Sequence, residues 1–223
     1  MTKKFFHLIF DFDGVILNSN KVKTNAFKSI SKQFGNDYSE KLVAYHLKNG
    51  GISRFKKIGW FVNEVLEKDD HNLIMQLINS YGIEVKKALY KCELRTDLFE
   101  LKNKLDQTLW SIASGGLEDE ILCFLKEKNL LKLFEAGVYG SPTPKLEIIK
   151  KIKSIPLRSA KIDWIVIGDS IYDFKCAKEN GINFIFASDW SDIKNPDYFL
   201  KENDIPSILG IEELNLSFLE NLN

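Results

Sequence analysis

Phe5-Phe6-His7-Leu8-Ile9-Phe10-Asp11-Phe12-Asp13-Gly14-Val15 is the stretch from which the rest of the chain is read. Residues 5–10 are compact, apolar and rich in β-forming types, which predicts a buried strand. The run stops abruptly on Asp11 and Asp13. Two acids two positions apart at a strand end can both face a crevice, and Gly14 lets the chain turn sharply away. Paired carboxylates suit Mg²⁺, which prefers oxygen ligands. They equally suit a nucleophile beside a general acid/base. An ordinary strand-to-turn stop uses the same residue types. The lysines at positions 3 and 4 followed by an apolar run look briefly like a signal peptide. The acids end the run too soon, and no small-residue cleavage site follows, so a strand is expected.

Downstream the periodicity changes. Val22, Ala26, Phe27, Ile30 and Phe34 recur at helical spacing, as do Phe55, Ile58, Phe61, Val62, Val65 and Leu66, then Leu73, Leu77, Ile78 and Tyr81. About four helices are predicted over residues 20–90, with no strand between them. From residue 95 the pattern alternates. Helices are expected at 98–105, 117–126, 146–152 and 171–179, and strands at 108–113, 136–139, 163–167 and 183–187. Strands separated by helices imply a parallel sheet covered on both faces. The predicted architecture is α/β: an open parallel sheet from residues 1–16 and 91–223, with a helical domain, 17–90, inserted after the first strand. Residues 188–206 read as polar and irregular, and 210–223 as one short helix.

Composition narrows the function. The 223 residues carry 31 Lys+Arg and 31 Asp+Glu, so no global charge draws the chain to nucleic acid or an anionic membrane. Hydrophobic residues at 44% and aromatics at 12% exclude disorder for most of the chain. No apolar run is long enough to span a bilayer. Cys92, Cys123 and Cys176 are odd in number, far apart and without metal-ligand spacing, which favours a reducing, cytoplasmic setting.

Ligands of open parallel sheets bind beyond the carboxyl ends of the strands. Besides the first acid pair, three such places carry polar residues. Gly168-Asp169-Ser170-Ile171-Tyr172-Asp173 offers acids that suit a cation, or else the favoured start of a helix. Ser114-Gly115-Gly116 offers a hydroxyl and exposed amides, a phosphate cradle or a plain helix cap. Lys145, after Pro142-Thr143-Pro144, sits in a first helical turn, where the macrodipole disfavours a cation unless an anion is near.

Taken together and in order, these residues resemble the haloacid dehalogenase superfamily of aspartate-nucleophile hydrolases. The matching motifs are Asp11-Phe12-Asp13-Gly14-Val15, Ser114, Lys145, and Gly168-Asp169-Ser170 with Asp173. The likeness extends to the capped branch that includes phosphoglycolate phosphatase and β-phosphoglucomutase. It implies a Rossmann-like parallel sheet with helices on both faces and a small α-helical cap. Asp11 would be the nucleophile that forms an aspartyl-phosphate, and Asp13 the general acid/base. Mg²⁺ would be held by Asp11, Asp13 through its backbone carbonyl, and Asp169, with Asp173 ligating directly or through water. Ser114, the Gly115 amide and Lys145 would bind the phosphoryl group. The dehalogenase branch lacks the second acid, because halide needs no proton to leave. Asp13 therefore favours a phosphomonoester.

The chain departs from the family pattern in three places. Asn18-Ser19-Asn20 stands where capped members often have Asp-Ser-Glu, Lys145 follows rather than precedes its Pro-x-Pro, and Arg95-Thr96-Asp97 lacks a frequent Pro-Gly. The cap is expected to choose the substrate. Gly51 and Arg54, in Gly50-Gly51-Ile52-Ser53-Arg54, are the expected cap contacts, the guanidinium gripping a second anionic group. His7, His46 and His71 are expected to be structural or solvated, and Trp60 and Phe61 cap core. The leading expectation is a Mg²⁺-dependent phosphatase for a small phosphorylated metabolite such as a sugar phosphate or phosphoglycolate-like acid. It would act as a monomer or weak homodimer, without nucleic acid or membrane. A phosphomutase shares every core motif, and a non-enzymatic binding fold is the remaining class.

Overall fold

A computed structural model describes residues 5–155 and 162–222, so the lysines at 3 and 4 lie outside the described residues. Strand β1 (Phe5–Phe10) is followed by helices α1 (Asn20–Ser31), α2 (Asn36–Lys48), α3 (Arg54–Trp60) and α4 (His71–Leu89). The alternating part then runs α5 (Leu98–Lys104), β2 (Thr108–Leu117), α6 (Glu118–Glu127), β3 (Val138–Ser141), α7 (Lys145–Lys153), β4 (Ile162–Gly168), α8 (Ile171–Glu179) and β5 (Asn183–Ala187). It closes with α9 (Asp197–Glu202), β6 (Ser207–Ile208) and α10 (Leu216–Glu220). The six strands form one parallel sheet in the order β3-β2-β1-β4-β5-β6.

That order follows from the apolar pattern. In β1, Phe6, Leu8 and Phe10 pack into one core with Trp110, Ile112, Ile165 and Ile167. Ile9 points the other way, into a second core with Ala113, Val166, Ile148, Ile149 and Ala177. A strand buried on both faces must be interior, and β1 lies between β2 and β4. From β1 the chain runs outward one way through β2 and β3, then returns and runs the other way through β4, β5 and β6. The order therefore reverses at β1/β4, where a crevice opens beyond the strand ends. Phe10 is level with both Ile112 and Ile167, so Asp11 emerges beside the ends of its two neighbours.

The four helices between residues 20 and 89 match the predicted count. A π-helical turn, Phe61–Val65, continues α3, and Asp70 caps α4 by accepting from the Leu73 amide. Their buried side chains Phe27, Ile58, Phe61, Leu77 and Tyr81 join the core that β1 and β2 also face.

Two expectations need correction. Residues 188–206 are not irregular throughout, since they contain α9. Its Phe199 sits edge-on to Phe174 and Phe186, a short apolar contact without visible period. Residues 210–222 are not one helix either: a 3₁₀ turn at Ile211–Glu213 precedes α10, and β6 lies just before them. The two-residue strand is made by backbone pairing with β5 and has no alternation to betray it.

His7 lies inside β1, with Nε2 2.9 Å from Ser111 Oγ and its ring stacked on Trp164. Burial, with Lys102 adding to it, lowers its pKa from 6.5 to about 4. The unfolded chain therefore takes the proton first. Stability from the neutral ring is complete above about 6.5 and is lost as pH falls towards 4. Acidification from pH 7 to 5 should cost about 2 kcal/mol through His7 alone. Urea midpoints against pH measure it, and His7→Leu should flatten that part of the profile.

Candidate active site

The site lies where the register predicts. The Asp11 amide donates to the Ile167 carbonyl, 2.8 Å away, and so extends the β1–β4 ladder by one residue. The carboxylate is thereby fixed at the crevice. Its Oδ1 accepts from the Phe12 amide at 2.7 Å, and its Oδ2 meets Lys145 Nζ at 2.8 Å. Lys145 comes from the first turn of α7 and is buried, with a second ion pair at 2.5 Å to Asp173 Oδ1. The cation that the macrodipole disfavours is thus explained by two carboxylates. Burial would lower its pKa, but Asp11 and Asp173 more than offset this and raise it.

Asp173 is completely buried. It forms a capping box with Ser170: its Oδ2 accepts from the Ser170 amide at 3.1 Å and the Ser170 hydroxyl at 2.6 Å. Both of its oxygens are therefore engaged: Asp173 completes the capping box of the N-cap Ser170 and partners Lys145. Asp169 accepts from Asn20 Nδ2 at 2.7 Å, and Asn20 also donates to the Trp190 carbonyl at 2.9 Å. A Cβ at Gly14, where φ is +77°, would overlap Asp169 Oδ2, so the turn after the first acid pair requires glycine.

Asp11, Asp169 and Asp173 each offer an oxygen within 4.8 Å of the others. Three buried carboxylates share the one Lys145 ammonium. Burial raises the Asp11 pKa to about 7 against the pull of Lys145, with Asp173 and Asp13 adding to the rise. Burial, then Asp11 and Asp173, pushes Asp169 well above the carboxylate range. Such a cluster is short of positive charge, and its donors are all oxygen. It fits a hard divalent cation such as Mg²⁺.

Asp13 is in the opposite electrostatic situation. Burial works to raise its pKa, but the Lys23 ammonium and the Ser19 hydroxyl outweigh it and hold it below the usual value. Ser19 Oγ donates to Oδ1 at 2.5 Å, and Lys23 pairs with Oδ2. Ser114 Oγ is 3.4 Å from the same Oδ2 and accepts from the Gly116 amide at 2.9 Å. Ser114 and Gly115 lie inside β2, which runs on to Leu117 with a register shift, instead of in an open turn before α6.

Asn18-Ser19-Asn20 looked like a departure from pattern, yet Ser19 and Asn20 bond the two acids Asp13 and Asp169. Lys23, one turn into α1, was not anticipated. The signal was present in a lysine on the buried side of the first helix after the acid pair.

The expected cap contacts, Gly51 and Arg54, both line the cavity over the acids. Gly51, φ +78°, lies against the sheet: a Cβ at Gly115 would overlap its carbonyl oxygen, and its own would press on Tyr172 and Ser170. The glycine pair lets the helical segment touch the strand ends. Arg54 lines the cavity above the acids, but both terminal nitrogens are bound by Glu120 of α6, Nη1 at 2.8 Å. The guanidinium also stacks over Tyr81, 4.7 Å from its centroid. Its fork is filled by a carboxylate of the protein itself. Two other cavity residues, His46 and Lys57, were not expected at the site.

The fold and the acid cluster define an α/β enzyme with a carboxylate-rich centre at the sheet's switch point. The family model of the haloacid dehalogenase-like hydrolases matches residues 8–187, and the chain belongs to that family. No curated protein matches the chain. Among solved structures it resembles a "predicted phosphatase" from Clostridium acetobutylicum, at TM-score 0.72 and 18% identity over 98% of this chain and 100% of that one. It resembles a β-phosphoglucomutase from Clostridium difficile, at TM-score 0.71 and 14% identity over 97% and 96%. It is also similar to a HAD-hydrolase from Bacillus subtilis described as bound to magnesium, at TM-score 0.62 and 20% identity over 95% and 97%. At these identities the likeness establishes the fold.

Proposed function

We propose that this hydrolase is a Mg²⁺-dependent phosphatase that cleaves a small phosphomonoester through an aspartyl-phosphate on Asp11. One observation carries the reading: two carboxylates on one strand end are held in opposite states. Asp11, beside Lys145 in a crowded acid cluster, is short of positive charge. Asp13, paired with Lys23 and Ser19, is kept ionised.

The division of labour follows from those surroundings. Asp11 presents an oxygen at the crevice as nucleophile. Lys145 lies against it, where it neutralises the like charge of an incoming phosphate dianion. Asp13, which Lys23 and Ser19 hold ionised before substrate binds, takes a proton from solvent as the negative charge of the substrate arrives, gives it to the leaving oxygen and, ionised again, takes the proton from the water that cleaves the acyl-phosphate. Ser114 and the Gly115 amide are the remaining candidates for the phosphoryl oxygens. A magnesium ion would be held by the Asp11 and Asp169 carboxylates and the Asp13 backbone carbonyl, with Asp173 supporting through Lys145 and Ser170. When bound it supplies the positive charge that the acid cluster lacks.

Residues 17–90 serve in this reading as the cap, and residues 1–16 with 91–223 as the core. The free cysteines fit a reducing cytoplasm, and the chain is read as a monomer or weak homodimer. Among the described residues no helix is long and apolar enough to cross a membrane.

Phosphate release over a panel of phosphorylated metabolites tests the proposal. Turnover should require Mg²⁺, vanish with EDTA and return when the metal is restored. Full activity in chelated buffer would contradict it, and isomerised product without free phosphate would point to a mutase. Asp13→Asn should slow the first step on alkyl phosphates by about 10²–10⁴-fold, and less on aryl phosphates, whose leaving group needs no proton. Single-turnover rates on both ester types measure the difference.

A further inference from the structure

The cavity beyond the acid pair holds a cation that the chemistry above does not use. Lys57, on α3, is 2% exposed and lines this cavity of about 100 Å³ together with Asp11, Asp13 and Asp169. Lys23 and Arg54 line it too, and each is ion-paired. Among the described residues Lys57 makes no ion pair. Its polar contact is a histidine nitrogen, Nδ1 of His46, at 2.8 Å.

That contact is directional. The other ring nitrogen, His46 Nε2, lies 3.1 Å from Thr24 Oγ1, and the Thr24 hydroxyl donates to the Asn20 carbonyl at 3.1 Å. Because Thr24 spends its proton on Asn20, Nε2 must be the protonated nitrogen. Nδ1 then has a lone pair and accepts from Lys57. Burial, followed by Lys57 and Lys23, lowers the His46 pKa to about 2, in keeping with a neutral ring. A chain of three hydrogen bonds thus aims the amine, and an ammonium so held keeps two further N–H donors. The Lys57 Nζ also sits over the Phe27 ring, 5.6 Å from its centroid.

A buried amine with no carboxylate at ion-pair distance is costly; Asp13 and Asp192, which line the same cavity, act on it only from farther off, and an anion bound beside it would remove the cost. Burial, with Lys23 adding to it and Asp13 and Asp192 opposing it, lowers the Lys57 pKa to about 7, and an anion beside the amine would favour its charged form. Arg54, one turn earlier on the same helix, cannot take that role while Glu120 fills its fork.

We infer that Lys57, positioned by His46, is the specificity residue that binds a second anionic group, a carboxylate or a second phosphate, on the part of the substrate that is not transferred. The inference rests on the phosphatase reading and narrows its substrates to doubly anionic phosphomonoesters.

Binding decides it without turnover. The probes are non-hydrolysable alkylphosphonates of two to six carbons that end in a carboxylate, in its primary amide or in a second phosphonate. They are titrated calorimetrically into wild type and Lys57→Met in the presence of Mg²⁺. At least one chain length should bind about tenfold or more tightly as acid or bisphosphonate than as amide, and Lys57→Met should bring that ratio close to one. The two anionic arms tell carboxylate from phosphate. Lys57→Arg should keep a preference, and His46→Leu should weaken it without abolishing it. Equal binding of charged and neutral probes at every length, or a ratio unchanged in Lys57→Met, would overturn the inference. Should that variant fail to fold, His46→Leu decides, and a charged-to-neutral ratio unchanged there would overturn the inference. A parallel assay with an aryl phosphate separates the two readings: absent hydrolysis there defeats the phosphatase proposal, while the charged-to-neutral ratio still judges Lys57.

Discussion

Asp11→Asn is expected to leave a folded protein with no measurable turnover, a loss on the order of 10⁴-fold or more. An amide of the same shape cannot attack phosphorus to give an acyl-phosphate. Stability should move the other way. Burial and the neighbouring acids already push the Asp11 pKa to about 7 in the absence of a cation, so its ionised form is held at a cost. Replacing it by a neutral isostere relieves repulsion with Asp169 and Asp173. In metal-free buffer the Tm should be unchanged or higher, while phosphate release falls to background. Residual activity above a few per cent would remove Asp11 from the nucleophile's role.

Lys145→Met should combine two losses. The ammonium balances Asp11 at 2.8 Å and Asp173 at 2.5 Å, and all three groups are buried. Removing one partner of a buried ion pair leaves an uncompensated charge, which typically costs about 3–5 kcal/mol. Activity should disappear with it, since among the described residues Lys145 is the cation paired with Asp11, the proposed nucleophile. The double variant Lys145→Met with Asp11→Asn should recover part of the stability and none of the activity. Urea unfolding of the single and double variants measures the coupling. Additive effects would show that the pair does not interact as the geometry states.

The acids were legible in the sequence because each ends a strand whose apolar run is visible, and a parallel sheet collects strand ends at one edge. Asp11, Asp169 and Lys145 could be placed from that rule before any coordinates. The helical segment was legible in number but not in its contacts. Arg54 and Lys57 lie three positions apart on α3, and the sequence does not say that Glu120, more than sixty residues later, fills the fork of one and leaves the other unpaired. Lys23 was hidden for the same reason: its partner Asp13 is set by how α1 folds back over the strand ends. The α9 and β6 elements escaped because each is too short to carry a period, and both are fixed by packing and pairing against β5 and α8.

Trapping the phosphorylated enzyme tests the central claim most directly. The protein is mixed with Mg²⁺ and a rapidly turned-over phosphomonoester, quenched in acid within the first turnover, reduced with borohydride and mapped by peptide mass spectrometry. Borohydride converts an aspartyl-phosphate to homoserine, so the peptide containing Asp11 should carry that change. The signal should increase in Asp13→Asn, in which the water step lacks its base, and be absent in Asp11→Asn. Sustained phosphate release with no modified aspartate, or modification at a residue other than Asp11, would contradict the account.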